Sequence, residues 1–140
     1  MKVWSRLHNT LVAALLPLIL CAGVAFGQTT KLDGLFDKLK TADAQSAARV
    51  EQEIWIEWSK SGSAAMDLLL ERGRHAMSKG QLHVAVEHFT ALVDHAPDFA
   101  EGWNARATAY YQMGLVGPSM ADIARTLQLN PRHFGALSGF

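Results

Sequence analysis

The sequence predicts an all-α fold of tandem antiparallel helix hairpins, and three observations lead to it. The chain resembles itself at a spacing of 34 residues: Leu69 and Trp103, Gly73 and Ala107, Ala76 and Tyr110, Gly80 and Gly114, Leu82 and Val116, Ala85 and Ser119, Phe89 and Ile123, and Pro97 and Pro131 all stand that far apart. Ala76 with Tyr110 excepted, each pair sets small against small or bulky apolar against bulky apolar. Within a period, apolar residues recur at helical spacing in two short runs. A glycine divides the runs and a proline closes the second, which is the punctuation of a repeat unit of two helices.

Composition bounds what such a fold can be. The 140 residues suit one domain of ordinary size, and 49% hydrophobic against 19% charged residues excludes a disordered chain. Thirteen Lys and Arg balance 13 Asp and Glu, so bulk electrostatics names no polyanionic partner and no nucleic acid. The average conceals a split. Residues 1–9 carry Lys2 and Arg6 and no acid, residues 11–22 form an apolar run, and Ala25 and Gly27 supply the small side chains that a leader peptidase needs before Gln28. Residues 1–27 therefore read as a secretory signal peptide with cleavage between Gly27 and Gln28. The run falls short of the roughly 20 apolar residues of a membrane span, and Pro17 interrupts it. A mature chain in the periplasm or outside the cell, with no membrane insertion after cleavage, is the expectation. An uncleaved leader acting as a membrane anchor is the alternative. The only cysteine, Cys21, follows Leu20 and not the small residue of a lipidation site, and cleavage removes it. What remains has 11 basic and 13 acidic residues and no thiol.

The elements follow in order. Residues 31–61 carry Leu32, Leu35, Phe36 and Leu39 on one stripe, then Asp43 as an N-cap, then Ala47, Val50, Ile54 and Trp58 on a second stripe. This helical hairpin lacks the glycine and proline marks, so it is either a degenerate repeat or an N-terminal cap. Trp55 and Trp58 are expected to pack on the repeat that follows, and Ser63 to cap its first helix. In the first repeat, residues 66–99, Leu69, Leu70, Gly73, Ala76 and Met77 precede Gly80, and Ala85, Val86, Phe89, Leu92, Val93 and Ala96 follow it. The second repeat, residues 100–133, restates the pattern, with Pro118 in the first turn of its second helix, where no backbone N–H is needed. Helices of about a dozen residues are marginal alone, so each hairpin must bury its stripe against a neighbour. Gly73, Ala85, Ala107 and Ser119 allow close approach, and Phe89, Trp103 and Tyr110 fill the space beside them.

These segments resemble tetratricopeptide repeats (TPR). The first matches the family's pattern with Leu69, Gly73, Gly80, Ala85, Phe89 and Pro97, and the second with Trp103, Ala107, Tyr110, Gly114 and Pro131. Arg72 and Arg106 stand where leucine is usual, and Leu92 and Thr126 where alanine is usual. The resemblance implies a short right-handed solenoid whose first helices line a concave groove that binds a protein or peptide. Its positions correspond here to Asp67, Leu70, Arg74, Met77 and Ser78, then to Glu101, Asn104, Thr108, Tyr111 and Gln112. Arg74, Asn104 and Tyr111 would offer donors to a peptide, and Leu70 and Met77 apolar contact. The lysine and asparagine set of chaperone-binding relatives is not reproduced, since Arg74 and Ala105 stand at two of its positions.

At the far end, residues 134–140 begin a third repeat in phase, with Leu137 matching Trp103. Without a capping helix, the expectation is either a longer gene product or an apolar end covered by a partner or a second copy.

Enzymatic readings find little support. His75, His83, His88 and His95 cluster within the first repeat, but most lie off its apolar stripe and form no HExxH or Cys/His motif, so they read as solvated. Glu51 and Glu53, two apart on a helix, do not face each other. No phosphate loop or nucleophile elbow occurs. The expectation is an exported adaptor or scaffold with no cofactor, no metal and no catalytic residue. The alternatives are a structural subunit of an envelope assembly that docks through its C-terminal end, with self-association there, and a histidine-based metal-binding protein.

Overall fold

A computed structural model describes residues 30–139. The leader and its cleavage site at Gly27 and Gln28 lie outside the described residues. The chain divides into two units, the first ending at Glu57 and the second beginning at Trp58. Every regular element described is helical.

In the first unit, a helix over 30–41 (α1) and α2, Ala44–Trp58, form the expected hairpin, with the last residue of α2 opening the second unit. Leu35 of α1 and Ile54 of α2 are buried, and Leu32, Phe36, Leu39, Ala47 and Val50 are half-buried, as the two stripes require. Lys31 Nζ reaches Glu57 Oε1 at 2.6 Å and ties the two ends of the hairpin together. Asp43 caps α2: its Oδ1 accepts from the Ser46 amide at 2.8 Å, and that bond holds the carboxyl below its ordinary pKa.

The second unit contains α3 (Ala64–Ser78), α4 (Leu82–His95), α5 (Ala100–Gln112), α6 (Val116–Leu129) and the short α7 (Phe134–Leu137). Helices α3 and α4 pair, α5 and α6 pair, α4 packs on α5, and α7 packs on α6. The 34-residue period is written into the backbone. Gln81 N donates to Ala76 O and Leu115 N to Tyr110 O, both at 2.9 Å, and Ala96 N to Leu92 O and Asn130 N to Thr126 O, both at 2.8 Å. Each hairpin turns on a glycine with positive φ, +72° at Gly80 and +74° at Gly114, where a side chain would be strained.

The core explains the paired small and large positions. A Cβ on Gly73 would stand 2.2 Å from the Phe89 ring, so the first hairpin closes only because that side chain is absent. In the second hairpin both partners change together: Ala107 is larger than Gly73, and Ile123, against which it packs, is smaller than Phe89. Ser119 adds a bond across this pair, its Oγ donating to Ala107 O at 2.9 Å.

Arg106, which replaces the usual leucine, is also matched by a partner. Its Nε and Nη2 grip Asp122 Oδ2 and Oδ1 at 2.7 and 2.9 Å, and its guanidinium lies 5.0 Å from the Trp103 ring centre. The bond to Asp122 raises the guanidinium's pKa further, so Arg106 stays charged at any ordinary pH.

Two local expectations are corrected. Ser63 occupies the N-cap position of α3 but makes no side-chain cap bond; Asp67 accepts instead from the Ser61 amide at 2.7 Å and the Ser61 hydroxyl at 2.6 Å. Trp58 stacks on His133, with ring centres 4.2 Å apart and planes 15° apart, and lies 4.8 Å from Phe134, so these ring contacts are made at the last residue of the second repeat and the residue after it. An indole seeks a flat neighbour, and His133 offers one at this end of the unit.

Candidate functional site: the helix faces of α3, α5 and α7

The ten sequence-derived groove positions separate by burial. Leu70 is 2% exposed and belongs to the core with Ala76, Phe89, Leu92 and Ala109, so it lines no groove. Met77 is half-buried against the same cluster. Asp67 is occupied by Ser61, and the Ser78 hydroxyl donates to His75 O at 2.8 Å. These four serve the fold because i, i+3 and i+4 spacing from the apolar stripe turns them toward the hairpin or its end.

Arg74, Glu101 and Asn104 come together, but as an internal polar node. Glu101 is 3% exposed; its Oε1 accepts from Arg74 Nη2, and its Oε2 from Asn104 Nδ2 at 3.3 Å and from His133 Nε2 at 2.9 Å. Arg74 Nη1 donates to Ser59 Oγ at 2.9 Å. The imidazole tautomer follows from its other bond. His133 Nδ1 accepts the Ala136 amide at 3.2 Å, capping α7, so the ring proton sits on Nε2 and the neutral ring donates to Glu101. A buried carboxylate with three donors and a place in the first turn of α5 is well stabilised. The node joins α3, α5 and α7.

His133 was not legible as a member of this node. One signal existed: 34 residues earlier stands Phe99, half-buried against the core, so a histidine in that phase needed a buried partner for its ring nitrogens.

Thr108 and Tyr111 remain, with Gln112 exposed beside them. Together with Asn104, Thr108 and Tyr111 form one wall of a pocket of about 240 Å³, closed on the other side by Gly135, Ser138 and Gly139 and floored by Ile123. Tyr111 is 69% exposed, the most open of the large hydrophobics among the described residues. The surface offers an aromatic plane, hydroxyls and glycine backbone, which suits an extended peptide or a side chain more than bond chemistry.

The histidines of the first repeat stay apart from this surface. His75, His83 and His95 are exposed and His88 is half-buried. Among the described residues, no three His, Cys, Asp or Glu side chains are grouped to hold a metal ion, and no helix is long and apolar enough to cross a membrane.

A TPR repeat-containing protein of Rhizobium etli is 41% identical to this chain over 110 residues, a match covering 78% of this chain. The chain belongs to the tetratricopeptide repeat family. It spans about half (54%) of the length of that relative. No family model matches the TPR chain, and no solved structure does. Arg72 and Arg106 at usual leucine positions are two departures of this TPR protein from the family's pattern.

Proposed function

We infer that this TPR protein is an exported adaptor that binds a protein or peptide through the pocket between α5 and the segment 135–139. The observation that carries the reading is Tyr111, 69% exposed at the edge of a concavity that also holds Asn104 and Thr108. An aromatic ring held open on a rigid helix gives contact area at low entropic cost. The leader-like residues 1–27 support export, and mature chain in the periplasm or outside the cell is part of the reading.

The groove narrows relative to the one implied by family resemblance, because Leu70, Asp67, Arg74 and Glu101 are committed to the core and to the polar node. Substitution of Arg74 or Asn104 therefore tests the fold as much as recognition. The informative variants are Tyr111→Ala and Thr108→Lys, both at exposed positions. A partner captured by the wild-type chain should be lost by both variants while their melting temperatures stay within a few degrees of wild type. Retention of the same partner by both would remove this surface from consideration.

A further inference from the structure

The polarity of the Tyr111 pocket follows from where its hydrogens go. Thr108 Oγ1 donates to Asn104 O at 3.0 Å, Ser119 Oγ to Ala107 O at 2.9 Å, and Ser138 Oγ to Gly135 O at 2.8 Å. A carbonyl oxygen only accepts, so each of these hydroxyls has spent its one hydrogen inside the fold and keeps lone pairs alone. Asn104 Nδ2 spends a hydrogen on Glu101 Oε2, and an amide that donates to a carboxylate has a more electron-rich Oδ1. The polar side-chain hydrogens left among the lining residues are the one on the Tyr111 hydroxyl and one on Asn104 Nδ2.

This reverses the polarity that the family resemblance implies. Arg74 and Asn104 would have offered donors to a ligand, but Glu101 accepts from both. None of the described residues lining the pocket is charged, and all of them belong to the second unit. A carboxylate entering it would meet lone pairs and find few hydrogens for its own oxygens, and a primary amide brings the same difficulty with its carbonyl. A guanidinium brings five N–H donors and no acceptor, is weakly hydrated for a cation, and lies flat on aromatic rings. Arg106 shows the combination within this fold. Its Nη1 donates to Thr90 Oγ1 at 3.3 Å and its guanidinium carbon stands 5.7 Å from the Tyr110 ring centre, with Asp122 completing the set.

We propose that the Tyr111 pocket receives an arginine side chain of the bound protein or peptide, the Thr108 and Ser138 oxygens accepting from its guanidinium and the Tyr111 ring lying against it. The assignment rests on this pocket being the recognition site, and it names the chemistry of what enters.

The test follows the amide chemical shifts of the isotope-labelled, purified chain during titration with a short end-capped glycine peptide that carries one arginine. Saturable shifts are expected at Thr108, Tyr111, Ser138 and Gly139. Citrulline in place of the arginine exchanges one guanidinium nitrogen for an oxygen and removes the charge, and should weaken binding about tenfold. Tyr111→Leu keeps apolar area, loses the ring and should weaken the arginine peptide about threefold. Thr108→Glu should strengthen the arginine peptide and leave the citrulline peptide unchanged, and a glutamate peptide should shift nothing in wild type. Circular dichroism verifies that each variant remains folded. Equal binding of the arginine and citrulline peptides, or arginine-peptide shifts that lie outside this pocket, would overturn the assignment. So would the absence of arginine-peptide shifts; if Tyr111→Ala still loses a captured partner, the pocket remains the recognition site and only the arginine assignment falls.

Discussion

Among the described glycines, Gly73 against Phe89 leaves the least room for a side chain. Gly73→Ala places a methyl 2.2 Å from a buried ring and should cost about 1–3 kcal/mol, read as a lower midpoint of urea unfolding. The second repeat supplies the remedy, since Ala107 there faces the smaller Ile123. In a Phe89→Ile background the same Gly73→Ala change should cost at least about 1 kcal/mol less, a coupling that a double-mutant cycle measures directly. Equal costs in both backgrounds would show that the two positions do not share one space.

Glu101 is the other decisive residue. Replacing it with alanine leaves Arg74, Asn104 and the buried His133 without their common acceptor and should destabilise the fold by about 2–4 kcal/mol. Glu101→Gln should cost less, because the amide oxygen still accepts. Asp43 carries a pH dependence of known sign. Its carboxyl is held below the ordinary value by the Ser46 amide, so its contribution to α2 is complete above about pH 4. That contribution is lost as pH falls through the lowered value. Helicity of the wild type should therefore drop on acidification by more than that of Asp43→Asn, and parallel titrations would contradict the cap.

Among the elements, both repeat hairpins were legible before the structure, and so was the N-terminal pair α1 and α2. Their apolar stripes have the helical period, and Gly80 and Gly114 mark turns that only a residue tolerant of positive φ makes easily. Gly114→Ala should cost about 1 kcal/mol and leave the helices in place. What sequence alone missed was side-chain pairing across elements. The family resemblance made Leu70 a groove position, yet it also lies on the apolar stripe, and the stripe prevails: it sits in the core with Phe89 and Leu92. Ser63 had the right position and residue type for a cap, but Ser61 and Asp67 bond each other instead. Arg106 looked like a blemish in the repeat, and Asp122 sixteen residues later makes it a fitted pair. Such pairings depend on which helix faces which, and that is set by packing and not by periodicity.

For the whole molecule, family membership follows from repeat geometry together with the Rhizobium relative, whereas the proposed recognition rests on Tyr111, 69% exposed. Core packing and internal hydrogen bonds take up most of the concave positions, and Asn104, Thr108 and Tyr111 line the pocket. Export is a separate proposal with its own check: N-terminal sequencing of the envelope form should begin near Gln28, and an intact Met1 would favour a membrane-anchored chain. The central claim, that a partner binds at the Tyr111 pocket, is tested most directly by photo-crosslinking in living cells. A benzophenone amino acid placed at position 111 should give a discrete crosslinked species that is absent when the same group stands at exposed position 51. Identical crosslinking from both positions, or none from position 111, would contradict the account.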